Sequence, residues 1–172
     1  MYGKTKNGEG VLNNFDLAHM RGKTRPSGTE RTGTMPFMAL DLLTEGAWAG
    51  RVKRLYRHDC ESFAWVLLWI CSRYDNGAEI EDPPFNQFIT SGFEQCRAMK
   101  LDCRTTIIKI KPAASCEAFW CAAVRLVIHV LNQLSATEDA ILCGKPRHEP
   151  TFDEVVRDCQ DVLKKIGSDI EL

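Results

Sequence analysis

The sequence predicts a mainly α-helical fold built around one hydrophobic helix. The run from Phe63 to Cys71 is apolar around its whole circumference, which is typical of a helix at the centre of a domain. A second, longer stretch has apolar residues at helical spacing. Thr151-x-x-Glu154 is a capping-box motif, which predicts the start of a third helix. The 172 residues are 44% hydrophobic and 26% charged, which excludes full-length disorder, collagen and coiled coil.

The N-terminal third of the chain shows no helical period. Residues 10–18 could supply one short strand or the arm of a β-hairpin. From His19 to Met35 the chain is dominated by Gly, Thr, Arg, Lys and Pro, and we expect one long irregular loop there. Loops of this length are usually functional or disordered.

The central helix is predicted over residues 59–73. Asp59 or His58 is expected to cap its start, and Asn76-Gly77 is expected to end it with a turn. Because the helix has no polar stripe, we expect it to be the most buried element of the domain. The side chains that should be buried are Trp65, Leu68 and Trp69.

Three further helical segments follow in the chain. Apolar residues recur every three or four positions from Phe85 to Met99, and Thr90-Ser91-Gly92 is expected to split this segment into two short helices. A long helix is predicted over 113–134, with Pro112 in its first turn. The last helix is predicted to begin at the Thr151 capping box and to stop at Gly167.

Charge and cysteine content limit the class of protein. Lysine and arginine number 22 against 23 acidic residues. We therefore expect no basic surface for DNA or RNA and no nucleic-acid partner. The run from Phe63 to Cys71 is far shorter than the ~20 residues of a membrane helix, so no membrane association is expected. The eight cysteines are scattered and include no Cys-x-x-Cys, which favours reduced thiols in an intracellular protein, cytoplasmic or nuclear.

Isolated motifs give no independent sign of chemistry. Gly8-x-Gly10 lacks the third glycine of a nucleotide loop, since Asn13 takes that place, and a plain turn is the favoured interpretation. The histidines lack the spacing of zinc ligands, so no metal site is predicted from them. The sequence contains no Gly-x-Ser-x-Gly, the usual sign of a serine hydrolase.

Two segments nevertheless resemble parts of protein kinases. Residues 33–41, Gly-Thr-Met-Pro-Phe-Met-Ala-Leu-Asp, resemble the end of a kinase activation segment. Residues 58–70 begin His-Asp-Cys-Glu-Ser-Phe and resemble the opening of the central C-lobe helix. Their motif resembles that of the fungal-type protein kinase family in particular. Residues 10–18 resemble that family's version of Asp-Phe-Gly, and residues 150–154 resemble the start of its last C-lobe helix.

The resemblance implies a protein-kinase-like C-terminal lobe as a single domain over residues 1–172. In this interpretation residues 1–18 are a strand remnant with the metal motif, 19–41 an activation-segment-like loop and 42–172 a helical subdomain. The chain has no Gly-rich phosphate loop before a strand, no Val-Ala-Ile-Lys and no His-Arg-Asp. We therefore expect the N-lobe and catalytic loop to be absent, as in a truncated product, a fragment or a degenerate paralogue.

The resemblance also assigns positions to the metal motif. Asn14 falls where the family has its metal-binding aspartate, and Phe15 and Asp16 follow in register. Mg²⁺ favours anionic oxygen ligands, so Asn14 should bind it poorly and Asp16 is a weak substitute. No cofactor is expected for this chain, although the complete family uses ATP and Mg²⁺.

Three further positions correspond to family residues. Thr34 matches the residue that contacts the catalytic aspartate, and Asp41 replaces the glutamate of Pro-Glu, with Arg147 as the nearest candidate for its arginine partner. Asp59 matches the aspartate that holds the catalytic loop. Since that loop is missing here, a helix cap is the favoured role for Asp59.

These expectations lead to two functional hypotheses. The first is a non-catalytic, truncated fungal-type kinase C-lobe that acts as an interaction module, with a protein partner at the surface left by the N-lobe. The alternative is a C-lobe fragment of a Ser/Thr-type kinase, which is completed for phosphoryl transfer by an N-lobe in another segment or chain. An unrelated helical binding protein would require both kinase-like matches to arise by chance.

Overall fold

The computed structural model of the chain describes residues 3–4, 10–11, 33–146 and 150–169. The chain divides into two units, Met1–Arg31 and Thr32–Leu172. In the first unit, strand β1 (Gly3–Lys4) pairs antiparallel with strand β2 (Gly10–Val11). Residues 12–18 of the predicted strand segment lie outside the described residues. The prediction of one domain with boundaries at 18 and 41 stays a prediction.

The second unit is mainly helical, as predicted. It begins with two 3₁₀ turns, Met35–Phe37 and Leu40–Leu43. The α-helices are α1 (Glu45–Trp48), α2 (Tyr56–Arg73), α3 (Gln87–Thr90), α4 (Phe93–Thr106), α5 (Glu117–Leu142) and α6 (Phe152–Asp169). A two-stranded hairpin, β3 (Tyr74–Asp75) with β4 (Ala78–Glu79), follows α2.

The central helix α2 begins three residues earlier than predicted. Leu55 is its N-cap residue with extended backbone, and the Nδ1 atom of His58 accepts a hydrogen bond from the Leu55 N–H at 3.2 Å. Asp59 is therefore inside the first turn, where its side chain is exposed, and the prediction that Asp59 caps the helix is wrong. His58 does satisfy a backbone N–H at the helix start, as one of the two predicted candidates.

One side of α2 forms the centre of the core. Trp65, Leu68 and Trp69 are buried as predicted, and they belong to a cluster with residues of α4 and α5. The opposite side is not buried, because Phe63 is 73% and Ile70 44% exposed. An apolar circumference thus did not produce burial all round, since the described elements pack against one side of the helix.

The turn predicted at Asn76-Gly77 is the tip of the β3–β4 hairpin. Asn76 has φ 48° and Gly77 has φ 83°, which are the left-handed conformations that a two-residue hairpin turn requires. The buried Arg73 donates to the Glu79 carboxylate and stacks on the ring of Trp69, 4.0 Å from its centroid. The turn was predicted, but the two short strands around it were not.

The boundaries of the later helices differ from the predicted ones in a few places. The split between α3 and α4 falls at Ser91-Gly92, as predicted. A 3₁₀ turn, Ala114–Cys116, precedes α5, so Pro112 is not in its first turn, and α5 runs on to Leu142. The α6 capping box is confirmed, with Thr151 N–H donating to the Glu154 carboxylate at 2.7 Å, but the helix passes through Gly167 and ends at Asp169.

Within the described residues, one helical stretch, Ala114–Leu142, is long and apolar enough to span a membrane. Its side towards α2 includes the buried Ala123, Val127 and Leu131. Its exposed positions are mixed: Ala118, Arg125 and Gln133 are small or polar, whereas Phe119, Ile141 and Leu142 are large and apolar. The described part of the chain thus buries one side of this helix.

Candidate functional site

The candidate site is the anchored segment, residues 33–43, which includes the activation-segment-like motif. Gly33 and Thr34 are exposed, and the Thr34 carbonyl accepts from the Phe37 N–H at 2.8 Å to close the first 3₁₀ turn. Met38 and Ala39 form an extended link between the two 3₁₀ turns. From Met38 to Leu43 every side chain except that of Asp41 is buried, so this half of the segment is part of the core.

Glu61 of α2 binds the backbone of the anchored segment. Its Oε1 atom accepts from the Leu40 N–H at 2.7 Å and from the Trp65 indole Nε1 at 3.2 Å. Burial raises the pKa of the Glu61 carboxyl, while the hydrogen bonds from Leu40 and Trp65 and the charge of Lys100 act in the opposite direction. A buried carboxyl with two donors is well satisfied, so Glu61 fixes Leu40 at a defined position on α2.

Lys100 of α4 binds the same segment from a second helix. Its side chain is fully buried, and its Nζ atom donates to the Met38 carbonyl at 2.6 Å. The same Nζ lies 4.6 Å from the centroid of the Trp65 ring, a cation–π contact. Burial lowers the pKa of Lys100 to about 8, against the opposing charge of Glu61. The peptide groups on both sides of Ala39 are thus each bound by a buried ionisable side chain.

Asp41 joins the end of the anchored segment to the start of α2. The Arg57 guanidinium donates to the Oδ2 atom of Asp41, and the Nε2 atom of the buried His58 lies 3.5 Å from the same oxygen. The Nε2 atom of His58 is buried and makes no hydrogen bond, although it lies this close to Asp41.

The structure describes three of the predicted site residues, which are Thr34, Asp41 and Asp59. Asn14, Phe15 and Asp16 lie outside the described residues, as does Arg147. Thr34 and Asp59 are exposed, and Asp41 is half-buried against α2. Within the described ranges no group of three or more His, Cys, Asp or Glu side chains could hold a metal ion.

Three residues of the site were missed by sequence reasoning: Glu61, Lys100 and Arg57. Glu61 lies on the buried side of α2 with Trp65 and Leu68, and Lys100 is on the same side of α4 as Cys96 and Cys103. A charge on the apolar side of a helix is the signal that could have identified both, because such residues are almost never buried unless they are paired.

An open groove of about 480 Å³ is a separate feature of the second unit. Its lining includes Phe85, Met99, Asp102, Cys103 and Ile110. None of the predicted site residues lines it, so the groove is distinct from the anchored segment.

Residues 2–71 match the family model described as fungal protein kinase. The chain is related to the fungal protein kinase family. The matched region includes the anchored segment, Arg57, His58 and Glu61, and it ends in the last turns of α2. Lys100 lies beyond the match, so its bond to Met38 is a feature that only the structure reveals. No curated protein and no solved structure matches the chain.

Proposed function

We propose that this relative of the fungal protein kinases has the fold of a kinase C-lobe, does not transfer phosphoryl groups as this chain, and binds a protein partner. The observation that carries the proposal is the anchoring of residues 38–41 by Glu61, Lys100 and Arg57. A segment that resembles a kinase activation segment is hydrogen-bonded to the helix that resembles the central C-lobe helix.

The C-lobe assignment is supported by the order of these elements. The anchored segment precedes α2 in the chain and packs on it, and α2 contributes the largest buried side chain, Trp65. The capping box of α6 at Thr151 lies where the resemblance puts the start of the last C-lobe helix. The sequence motifs and the packing therefore support the same proposed fold, that of a kinase C-lobe.

The proposal that the chain is non-catalytic rests on its chemistry. Phosphoryl transfer needs a cradle for the phosphates, bound metal ions and a carboxylate that positions the hydroxyl. In the metal motif, Asn14 is a neutral amide where the family has an anionic carboxylate, and Mg²⁺ prefers the latter. The 172 residues include neither a His-Arg-Asp motif nor a Val-Ala-Ile-Lys lysine. No ATP or Mg²⁺ is proposed as a cofactor of this chain.

A protein partner is proposed because hydrogen bonds already fix the anchored segment in place before any partner binds. Rigid segments lose less conformational entropy on binding, so a buried anchor beneath an exposed end favours recognition. Gly33 and Thr34 form this exposed end, and they lie directly before the first 3₁₀ turn. With charges that nearly balance, neither nucleic acid nor a membrane is the proposed partner, and an intracellular location, cytoplasmic or nuclear, suits the eight free cysteines.

One observation favours the alternative, a C-lobe that works with an N-lobe supplied by another segment or chain. Thr34 is exposed at the start of the anchored segment, so another segment or chain can reach it. In that case Thr34 would contact a catalytic loop that the partner segment supplies.

The decisive experiment is a thermal-shift measurement with ATP, with Mg²⁺ and with both. We expect no change in the melting temperature under any of these conditions. A shift that requires ATP and Mg²⁺ together would contradict the non-catalytic proposal. Turnover that appears only when a fungal protein kinase N-lobe is added as a separate chain would support the alternative instead.

A further inference from the structure

Two thiols from different elements meet at the C-terminal end of α2. Cys71 is in the last turn of α2 and is 1% exposed, whereas Cys116 is half-buried at the end of the 3₁₀ turn that precedes α5. The Cys116 thiol donates to the carbonyl of Tyr74, three residues beyond Cys71, at 3.9 Å, and both cysteines are free. They are remote in sequence, so only the fold brings them together.

The backbone fixes the approach of these two thiols. The Ala113 N–H donates to the Cys71 carbonyl at 2.8 Å, and the Cys116 N–H donates to the Ala113 carbonyl at 2.9 Å. Cys116 is thus one 3₁₀ turn away from Ala113, whose backbone is hydrogen-bonded to that of Cys71. A disulfide requires Cα atoms within roughly 7 Å of each other. The two backbone hydrogen bonds and the Cys116–Tyr74 contact hold Cys116 beside the end of α2, where Cys71 lies.

We propose that Cys71 and Cys116 are a peroxide-sensitive thiol pair, which closes to a disulfide between the end of α2 and the start of α5. In the first step the Cys116 thiol releases its proton, and the thiolate attacks one peroxide oxygen. The O–O bond breaks, a sulfenic acid forms, and the leaving hydroxide takes up a proton to become water. In the second step the Cys71 sulfur attacks the Cys116 sulfenic sulfur, and the hydroxyl leaves as water. The two thiols lose two electrons and two protons, and hydrogen peroxide is reduced to two waters.

The order of the two steps follows from burial. Cys116 is accessible to a small oxidant, whereas Cys71 is shielded by the core. Burial, followed by the neighbouring Cys116, raises the pKa of Cys71 to about 11, so Cys71 stays a thiol at neutral pH. It therefore reacts second, with the sulfenic acid that forms beside it.

The disulfide would join the two ends of the segment that includes the β3–β4 hairpin, α3 and α4. Lys100 of α4 donates to Met38, so the crosslink would close the loop that includes one anchor of residues 38–41. Closing a loop of this size removes entropy from the unfolded chain. The oxidised protein should accordingly be more stable than the reduced one.

The test uses the purified full chain, treated with hydrogen peroxide and then digested without reductant. Peptide mapping should find a fragment that joins Cys71 to Cys116 and is two hydrogens lighter than the sum of its parts. The melting temperature should rise by roughly 5–10 °C on oxidation and return when dithiothreitol is added. Cys116→Ala should abolish both effects, while Cys121→Ala, at an exposed position of α5, should leave both intact.

Two results would overturn the proposal. One is a crosslink between another pair, such as Cys60 and Cys159 on the packed helices α2 and α6, while Cys71 and Cys116 remain thiols. The other is oxidation of Cys116 to sulfinic or sulfonic acid without a crosslink, with Cys71 still a thiol in the mapped digest.

Discussion

Glu61 and Lys100 bind the peptide groups on the two sides of Ala39. Glu61 accepts from the Leu40 N–H, and Lys100 donates to the Met38 carbonyl, although the two side chains come from different helices. Both side chains are buried. Burial of two ionisable groups is costly, and here it is offset by hydrogen bonds that fix the backbone position of residues 38–40.

Replacing Glu61 should strongly destabilise the second unit. Glu61→Ala removes the acceptor for Leu40 and Trp65 and leaves the charge of Lys100 buried without its counterpart, which typically costs about 3–5 kcal/mol. Asp59→Ala is the matched control, because Asp59 is an exposed acid in the same helix, and it should change stability by less than about 0.5 kcal/mol. Urea unfolding measures both, and equal effects of the two variants would refute the anchoring role of Glu61.

The double variant Glu61→Leu with Lys100→Met separates charge from packing. It leaves no isolated buried charge, so it should be less destabilised than the sum of the two single variants. Strict additivity in the same unfolding experiment would show that the two residues act independently.

Lys100 should give the stability of the protein a recognisable pH dependence. Its pKa is lowered to about 8 from 10.5, so between these pH values the unfolded chain binds more protons than the folded one. The contribution of Lys100 to the free energy of unfolding therefore rises with pH across this window. The raised pKa values of Cys60, Cys71 and Cys103 act in the opposite direction above pH 9.

Comparison with Lys100→Met removes most of the thiol contribution, because both proteins have the same cysteines. The stability of the wild type relative to this variant should increase between pH 7 and 10 in guanidinium unfolding. A difference that stays constant or falls would mean that Lys100 is not buried in its charged form.

Asp41 and Arg57 should be energetically coupled. The cycle of Asp41→Asn and Arg57→Gln should give a coupling of about 1 kcal/mol, because the two side chains are only 12% and 23% exposed. The Lys164–Asp161 pair, at 76% and 54% exposure, is the control and should couple by less than half of this. A parallel cycle with Arg147→Gln tests the partner that the sequence suggested, and coupling to Arg147 alone would exclude the Arg57 contact.

The capping box should stabilise the first turn of α6. Thr151→Ala removes the hydroxyl that accepts from the Glu154 N–H and should cost about 1 kcal/mol, with faster amide exchange in the first turn of α6. Thr137→Ala is the control, because the Thr137 hydroxyl bonds to the Gln133 carbonyl inside α5 and alanine is the better helix former there. Equal exchange in α6 for both variants would contradict the cap.

Periodicity predicted the helices well because it reports which side of each helix is apolar. The Ser91-Gly92 break, the capping box of α6 and the burial of Trp65 all followed from local chemistry. The exposure of Phe63 could not be predicted in this way, since it depends on which elements pack around α2. The start of α2 was also misplaced, because Tyr56 and Arg57 lie outside the apolar pattern but inside the helix.

The candidate site was harder to predict than the fold because its contacts join residues far apart in sequence. The kinase-like motif identified residues 33–41, but it did not show that Lys100 would bind Met38 from 62 positions away. Pairing between remote buried charges depends on the packing of α4 against the anchored segment, and no local pattern reports that packing.

The most direct test of the account is phosphoryl transfer from radiolabelled ATP by the purified chain, with Mg²⁺ and a generic protein substrate. We expect no turnover above background for the wild type, and none for Asn14→Asp, since restoring one metal ligand supplies neither the phosphate cradle nor the carboxylate that positions the hydroxyl. Turnover by the wild type that is abolished by Asp16→Ala would contradict the account, because it would show that this chain forms a working metal site.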